Sequence, residues 1–152
     1  HTQRRRQRQM CIRDRWKAFV EIKSMGWVND PLPRMVAAQS TGCAPVVKAF
    51  QERQRDTDFW ENSNTVALGL NVPGPLGGAW ILDILRMSKG IAIMIDEHRL
   101  KALTEEFNNL TSINSSDEGG VVWGAYSHLK KVGWIKPKER SVIFATGIER
   151  IK

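Results

Sequence analysis

Cysteine is nearly absent from this chain. The two present, Cys11 and Cys43, cannot make the spaced framework of a disulfide-stapled secreted domain, and neither stands at metal-ligand spacing from a partner. That usage fits a reducing, cytoplasmic setting. Histidine is as sparse. His1, His98 and His128 are the three, and none is spaced with Asp or Cys as a metal ligand or triad member, so each is expected to be exposed or structurally satisfied. Long apolar runs are missing too: the longest, such as 91–95, fall far short of the ~20 residues a spanning helix needs, and no membrane segment is predicted. No repeat of about 20–50 residues is visible, which argues against a solenoid.

What is present is globular in kind. The apolar share of 41% and the charged share of 26% lie near soluble averages and argue against a disordered or fibrous chain. At 152 residues a chain buries roughly 70% of the surface its unfolded form exposes, enough for one core, so one domain or part of one is expected. The net charge of +7 would ordinarily raise nucleic acid as a partner, but it is not evenly spread. Arg4, Arg5, Arg6, Arg8, Arg13 and Arg15 against Asp14 put residues 1–15 at +5, leaving +2 for the other 137. That stretch has no helical periodicity and no signal-peptide core, and Gln9-Met10-Cys11-Ile12-Arg13-Asp14-Arg15 resembles translated sequencing-adapter DNA. Residues 1–15 are therefore read as a non-native or disordered leader, and 16–152 as the body. The alternative is an arginine-rich arm that folds on RNA. The body offers no basic patch to continue such a footprint, so no nucleic-acid partner is expected.

Along the body, hydrophobic periodicity predicts a helix over 16–25, with Ala18, Phe19, Ile22 and Met25 on one arc and Gly26 at the left-handed cap position. A short buried strand follows at 35–39, then a turn at Ser40-Thr41-Gly42 and a helix whose first turn holds Pro45 and which runs toward Arg53. Cys43 falls where a helix start lowers a thiol pKa, but a small residue filling a tight turn is the expectation. Residues 54–64 read as a polar loop. Gly77-Gly78 precedes a helix over 79–87 that should bury Trp80, Ile81, Ile84 and Leu85. The run 91–95 suits a strand buried on both faces of a parallel sheet. Asp96 can cap the next helix, with Leu100, Leu103, Phe107 and Leu110 on its stripe. After a polar loop at 111–117, Val121, Val122, Ala125, Leu129 and Val132 make a stripe closed by Gly133, and 142–145 reads as a last strand. Alternating strands and helices mean βαβ units, hence an α/β fold with a mainly parallel sheet flanked by helices in three layers.

In open parallel sheets ligands bind at the carboxyl ends of the strands. Three places meet that description: Ser40-Thr41-Gly42, Leu68-Gly69 in the central loop, and Thr146-Gly147.

Several segments also resemble a known family. They are Trp16-Lys17-Ala18-Phe19, the run from Met35 through Ser40-Thr41-Gly42-Cys43-Ala44-Pro45, Phe59-Trp60-Glu61-Asn62, Gly69-Leu70-Asn71-Val72-Pro73-Gly74-Pro75-Leu76-Gly77-Gly78, Asp96-Glu97, Glu118-Gly119 and Phe144-Ala145-Thr146-Gly147. Standing in the family's order, they resemble threonine synthases, fold type II pyridoxal-phosphate enzymes with a tryptophan-synthase-β-like lobe. Those enzymes are much longer, so the resemblance is to the C-terminal part of the catalytic domain. It implies pyridoxal phosphate as cofactor, O-phosphohomoserine as substrate, threonine and phosphate as products, and a homodimer for the full-length enzyme. It places Thr146 beside the cofactor's pyridine nitrogen, carried next to Gly147, and the backbone of Leu68 and Gly69 close to the ring. A neutral threonine leaves that nitrogen largely unprotonated and tempers the ring as an electron sink; the alternative is a hydroxyl that merely caps a turn. None of the lysines resembles the family's cofactor-binding lysine, and the phosphate loop should precede Trp16. No catalytic residue is nominated in this piece, which is expected to be inactive alone. Asn71 stands where the family usually has a cation. The rivals are another pyridoxal-phosphate lyase or synthase, such as a threonine dehydratase or cysteate synthase, and an RNA-binding module using the arginine-rich leader.

Overall fold

The computed structural model describes residues 11–148. In chain order the elements are helix α1 (Cys11–Ser24), strand β1 (Val36–Ser40), helix α2 (Pro45–Gln51), a 3-10 turn (Leu68–Leu70), helix α3 (Gly78–Met87), strand β2 (Ile91–Ile95), a second 3-10 turn (Glu97–Arg99), and helices α4 (Leu100–Thr111) and α5 (Asp117–Lys131). β1 and β2 pair. Ile91 N–H donates to Met35 O at 3.1 Å and Thr41 N–H to Ile95 O at 2.9 Å, so both chains ascend together and the pair is parallel. A parallel pair needs a crossover, and α2 and α3 lie within it. The result is a small α/β fold with a two-stranded parallel sheet and flanking helices.

Contacts cluster into two compact units. Of the described residues, the first holds 11–37, Pro45–Trp60 and Pro73–Ile93. Its core is Met35, Val46, Val47, Ala49, Ile81, Leu82, Ile84, Leu85 and Ala92, all buried. Buried Ser88 fixes the strand entry, accepting Met35 N–H on Oγ at 3.2 Å. The second unit holds Ala38–Ala44, Glu61–Val72 and, of the described residues, 94–148. There α4 and α5 pack closely, because Gly120 and Gly124 recur one turn apart on the facing side. A Cβ at Gly120 would stand 2.8 Å from Leu100 O, and one at Gly124 2.8 Å from Leu103 Cδ1. Buried Leu100, Leu103, Phe107, Val121, Ala125 and Leu129 complete that core.

Four of the five described helices end in the same way. At α1, Gly26 N–H donates to Lys23 O and Trp27 N–H to Ile22 O; at α5, Gly133 N–H donates to Lys130 O and Trp134 N–H to Leu129 O. With φ of +73° and +72°, these are two Schellman closures with glycine in the left-handed seat. The same bond pair closes α2 at Arg53-Gln54 and α3 at Lys89-Gly90, where Arg53 (φ 56°) and Lys89 (φ 53°) hold that seat without being glycine.

Several expectations are corrected. The helix expected from residue 16 begins at Cys11, so residues 11–15 are helical although no periodicity marks them; residues 1–10 lie outside the described residues. Trp80 is 58% exposed rather than buried, and the Arg13 guanidinium stands 4.7 Å from its ring centroid. A guanidinium over an indole face stabilises an aromatic that no core surrounds. Leu110 and Val132, placed on apolar stripes, are exposed at the ends of theirs. β2 is only partly buried, with Ala92 and Ile95 covered and the rest intermediate, because in a two-stranded sheet each strand is an edge strand with a neighbour on one side alone. The strand expected at 142–145 does not form. It finds no strand to pair with among the described residues, and the nearest pairing is one antiparallel bridge between Ser115 and Ile148.

Candidate functional site

The three places nominated from sequence all fall in the second unit, and two glutamates organise them. β1 ends at Ser40, and the chain turns through Thr41 and Gly42. β2 ends at Ile95, and Asp96 caps the following 3-10 turn by accepting His98 N–H at 3.0 Å. This turn sets Glu97 against the turn after β1. Glu97 N–H donates to Thr41 Oγ1 at 2.9 Å, the Ser40 hydroxyl donates to Glu97 Oε2, and Val66 N–H donates to Glu97 Oε1 at 2.6 Å. Burial by itself would raise the Glu97 carboxyl, but hydrogen bonds from Ser40, Val66 N–H, Thr65 and Gly42 N–H outweigh it and hold the group below the usual glutamate range. Gly42 is needed for the close approach: a Cβ there would lie 2.8 Å from Asn64 C and 2.9 Å from Glu97 Oε2.

Glu118, in the first turn of α5, holds the next part of the central loop. Its Oε1 accepts Gly69 N–H at 2.6 Å and its Oε2 accepts the Ser116 hydroxyl. The terminal segment docks on the same helix start, with Gly147 O accepting Ser116 N–H at 3.3 Å and Ser115 Oγ–H at 3.3 Å. A Cβ on Gly147 would come within 2.9 Å of Glu118 Oε2. Gly69 and Gly147, far apart in sequence, are thereby brought to one carboxylate.

The other nominated residues are more exposed. Thr146 is exposed on the terminal segment, and Leu68 is 77% exposed at the start of its 3-10 turn. Cys43 is wholly buried behind this turn. Burial pushes its thiol up, a hydrogen bond with the Val72 backbone offsetting part of that, which makes it a neutral packing group. Asn71, in the same loop, has a buried Oδ1 without a hydrogen-bond partner. Glu97 and Glu118 were named in sequence only as parts of motifs, with no role. Their signal was an acidic residue just after a strand end and another just inside a helix start, and neither pattern says which backbone amides the carboxylate will meet.

Polar groups thus gather at the carboxyl ends of the two parallel strands, the edge at which open α/β sheets commonly bind ligands. No protein-family model matches the chain. Two curated relatives do. The threonine synthase of Methanocaldococcus jannaschii is 26% identical over 132 residues, which are 87% of this chain and 32% of the relative. The threonine synthase of Methanosarcina acetivorans is 27% identical over 132 residues, with the same shares. The chain thus spans about a third of the length of the curated relatives it matches, and it fits a piece of a threonine synthase. No helix among the described residues is long and apolar enough to cross a membrane.

Proposed function

We propose that residues 16–152 are the C-terminal part of a threonine synthase, whose whole enzyme, a cytoplasmic homodimer, converts O-phosphohomoserine and water to threonine and phosphate with pyridoxal phosphate. The observation that carries this reading is the match to two archaeal threonine synthases across 87% of the chain. Pyridoxal phosphate supplies an electron-accepting ring that stabilises negative charge on substrate carbons. Residues of this chain suit the pyridine side of that group. Thr146 is assigned to the ring nitrogen as a neutral hydroxyl, an assignment that its exposure supports. Gly147 adjoins Thr146, and the Leu68-Gly69 backbone would pass close to the ring. The convergence of Gly69 and Gly147 on Glu118 supports assigning all four to one edge of the cofactor. The lysine and the phosphate loop are assigned to sequence that precedes Trp16 in the whole enzyme, so this piece is inactive alone.

Residues 16–148, grafted in place of the matching third of the Methanocaldococcus jannaschii enzyme, test the assignment. The expected result is a folded chimaera that releases phosphate from O-phosphohomoserine and lets a threonine auxotroph grow. A folded chimaera that instead deaminates threonine, or binds the cofactor without releasing phosphate, overturns the reading.

A further inference from the structure

The central loop carries two residues assigned to the cofactor, Leu68 and Gly69, yet it has little regular structure of its own. Its internal backbone bonds are short-range ones, such as Leu70 N–H to Ala67 O at 2.8 Å and Asn71 N–H to Leu68 O at 3.3 Å. Two amides three residues apart leave the loop for carboxylates, each at 2.6 Å: Val66 N–H to Glu97 and Gly69 N–H to Glu118. The second oxygen of each carboxylate is held by a serine hydroxyl, Ser40 for Glu97 and Ser116 for Glu118. A bond from an amide to an ionised acceptor is about twice as strong as a neutral one, and a carboxylate anchored at its other oxygen cannot follow the loop if it moves.

We infer that Glu97 and Glu118 are paired positioning residues for the cofactor edge of the site. Glu97 ties the loop to the turn after β1. Glu118 ties it to the start of α5, where the terminal segment bearing Thr146 also docks, and so sets the spacing between Gly69 and Gly147. Neither carboxylate transfers a proton or touches substrate in this role; each acts through the backbone it holds. The cofactor half of the inference rests on the threonine synthase reading, and the backbone half does not.

Amide hydrogen exchange on the full 152-residue chain, read residue by residue by NMR, tests it. Glu118→Ala should speed exchange at Gly69 by about tenfold to a hundredfold, the worth of a bond to a charged acceptor, with Ala125 in the middle of α5's core face unchanged. Glu118→Gln keeps an acceptor oxygen and should restore most of the protection. Glu97→Ala should do the same to Val66, rescued likewise by Glu97→Gln, and the double alanine variant should release 65–70 together by more than the two single effects combined. Unchanged exchange at Gly69 and Val66 in the alanine variants, or additive behaviour in the double variant, overturns the inference. Pyridoxal phosphate added to the chimaera described above, which supplies the lysine and the phosphate loop, separates this from the functional reading. Shifts at Gly69 and Gly147 that Glu118→Ala abolishes and Glu118→Gln retains support both. Shifts that survive Glu118→Ala overturn the positioning role while leaving the reading intact. No shift in the chimaera without either substitution overturns the cofactor half, and the exchange result still decides the backbone half.

Discussion

Glu97 is the residue whose protonation state should matter most to this fold. Its carboxyl lies below the usual range because the hydrogen bonds it accepts outweigh the cost of its burial. A depressed acid binds its proton less readily in the folded chain than in the unfolded one, so its contribution is present above the unfolded value and is lost as pH falls through the folded value. The second unit should therefore melt at progressively lower temperature as pH drops below about 4. Glu97→Gln should be less stable at neutral pH and show a flatter acid limb in thermal melts across pH; a parallel limb would contradict the assignment. Cys43 is the opposite kind of residue, neutral and covered. In a Cys11→Ser variant, a thiol reagent should modify Cys43 at the rate of unfolding, with the free-thiol rate reached only in denaturant.

At the scale of elements, the helix closures separate two cases. Gly26 and Gly133 occupy left-handed seats that a glycine fills without strain, whereas Arg53 and Lys89 occupy the same seats with a Cβ. Arg53→Gly and Lys89→Gly should each raise stability by a few tenths to about 1 kcal/mol, and Gly133→Ala should lower it by about 1 kcal/mol, as read by urea denaturation. The α4–α5 seam is less forgiving, since a side chain at Gly120 meets the backbone of Leu100. Gly120→Val should cost about 1–3 kcal/mol or more. The glycine closures of α1 and α5 were legible in sequence, because Gly-Trp follows a stripe of apolar residues in both. Those of α2 and α3 were not, because nothing about an arginine or a lysine announces a positive φ. Likewise, 142–145 has the composition of a strand, but a strand exists only where a neighbour completes its hydrogen bonds.

The molecule as a whole carries a sheet of two strands, and each has one edge without a partner strand among the described residues. Two strands are marginal as an independent sheet, and open edges invite pairing with another chain. Large apolar side chains, among them Trp27, Phe59, Leu68, Leu76 and Trp80, are also exposed. The isolated chain is thus expected to associate as its concentration rises, seen by sedimentation velocity as a growing weight-average mass. A mass that stays monomeric into the hundreds of micromolar would show that the edges are protected.

The order of helices and strands as far as α5, the α/β class and the resemblance to threonine synthases were properties of the sequence alone, because they rest on local periodicity, turn chemistry and short motifs that need no partner from elsewhere in the chain. Where the loops are pinned was decided only by tertiary structure. Glu97 lies 31 residues from Val66 and Glu118 lies 49 from Gly69, and which amide a carboxylate meets depends on how the strand ends and the start of α5 converge. The exposure of Trp80 has the same origin. An apolar stripe says that a helix has a face to bury, but only packing decides whether anything covers it.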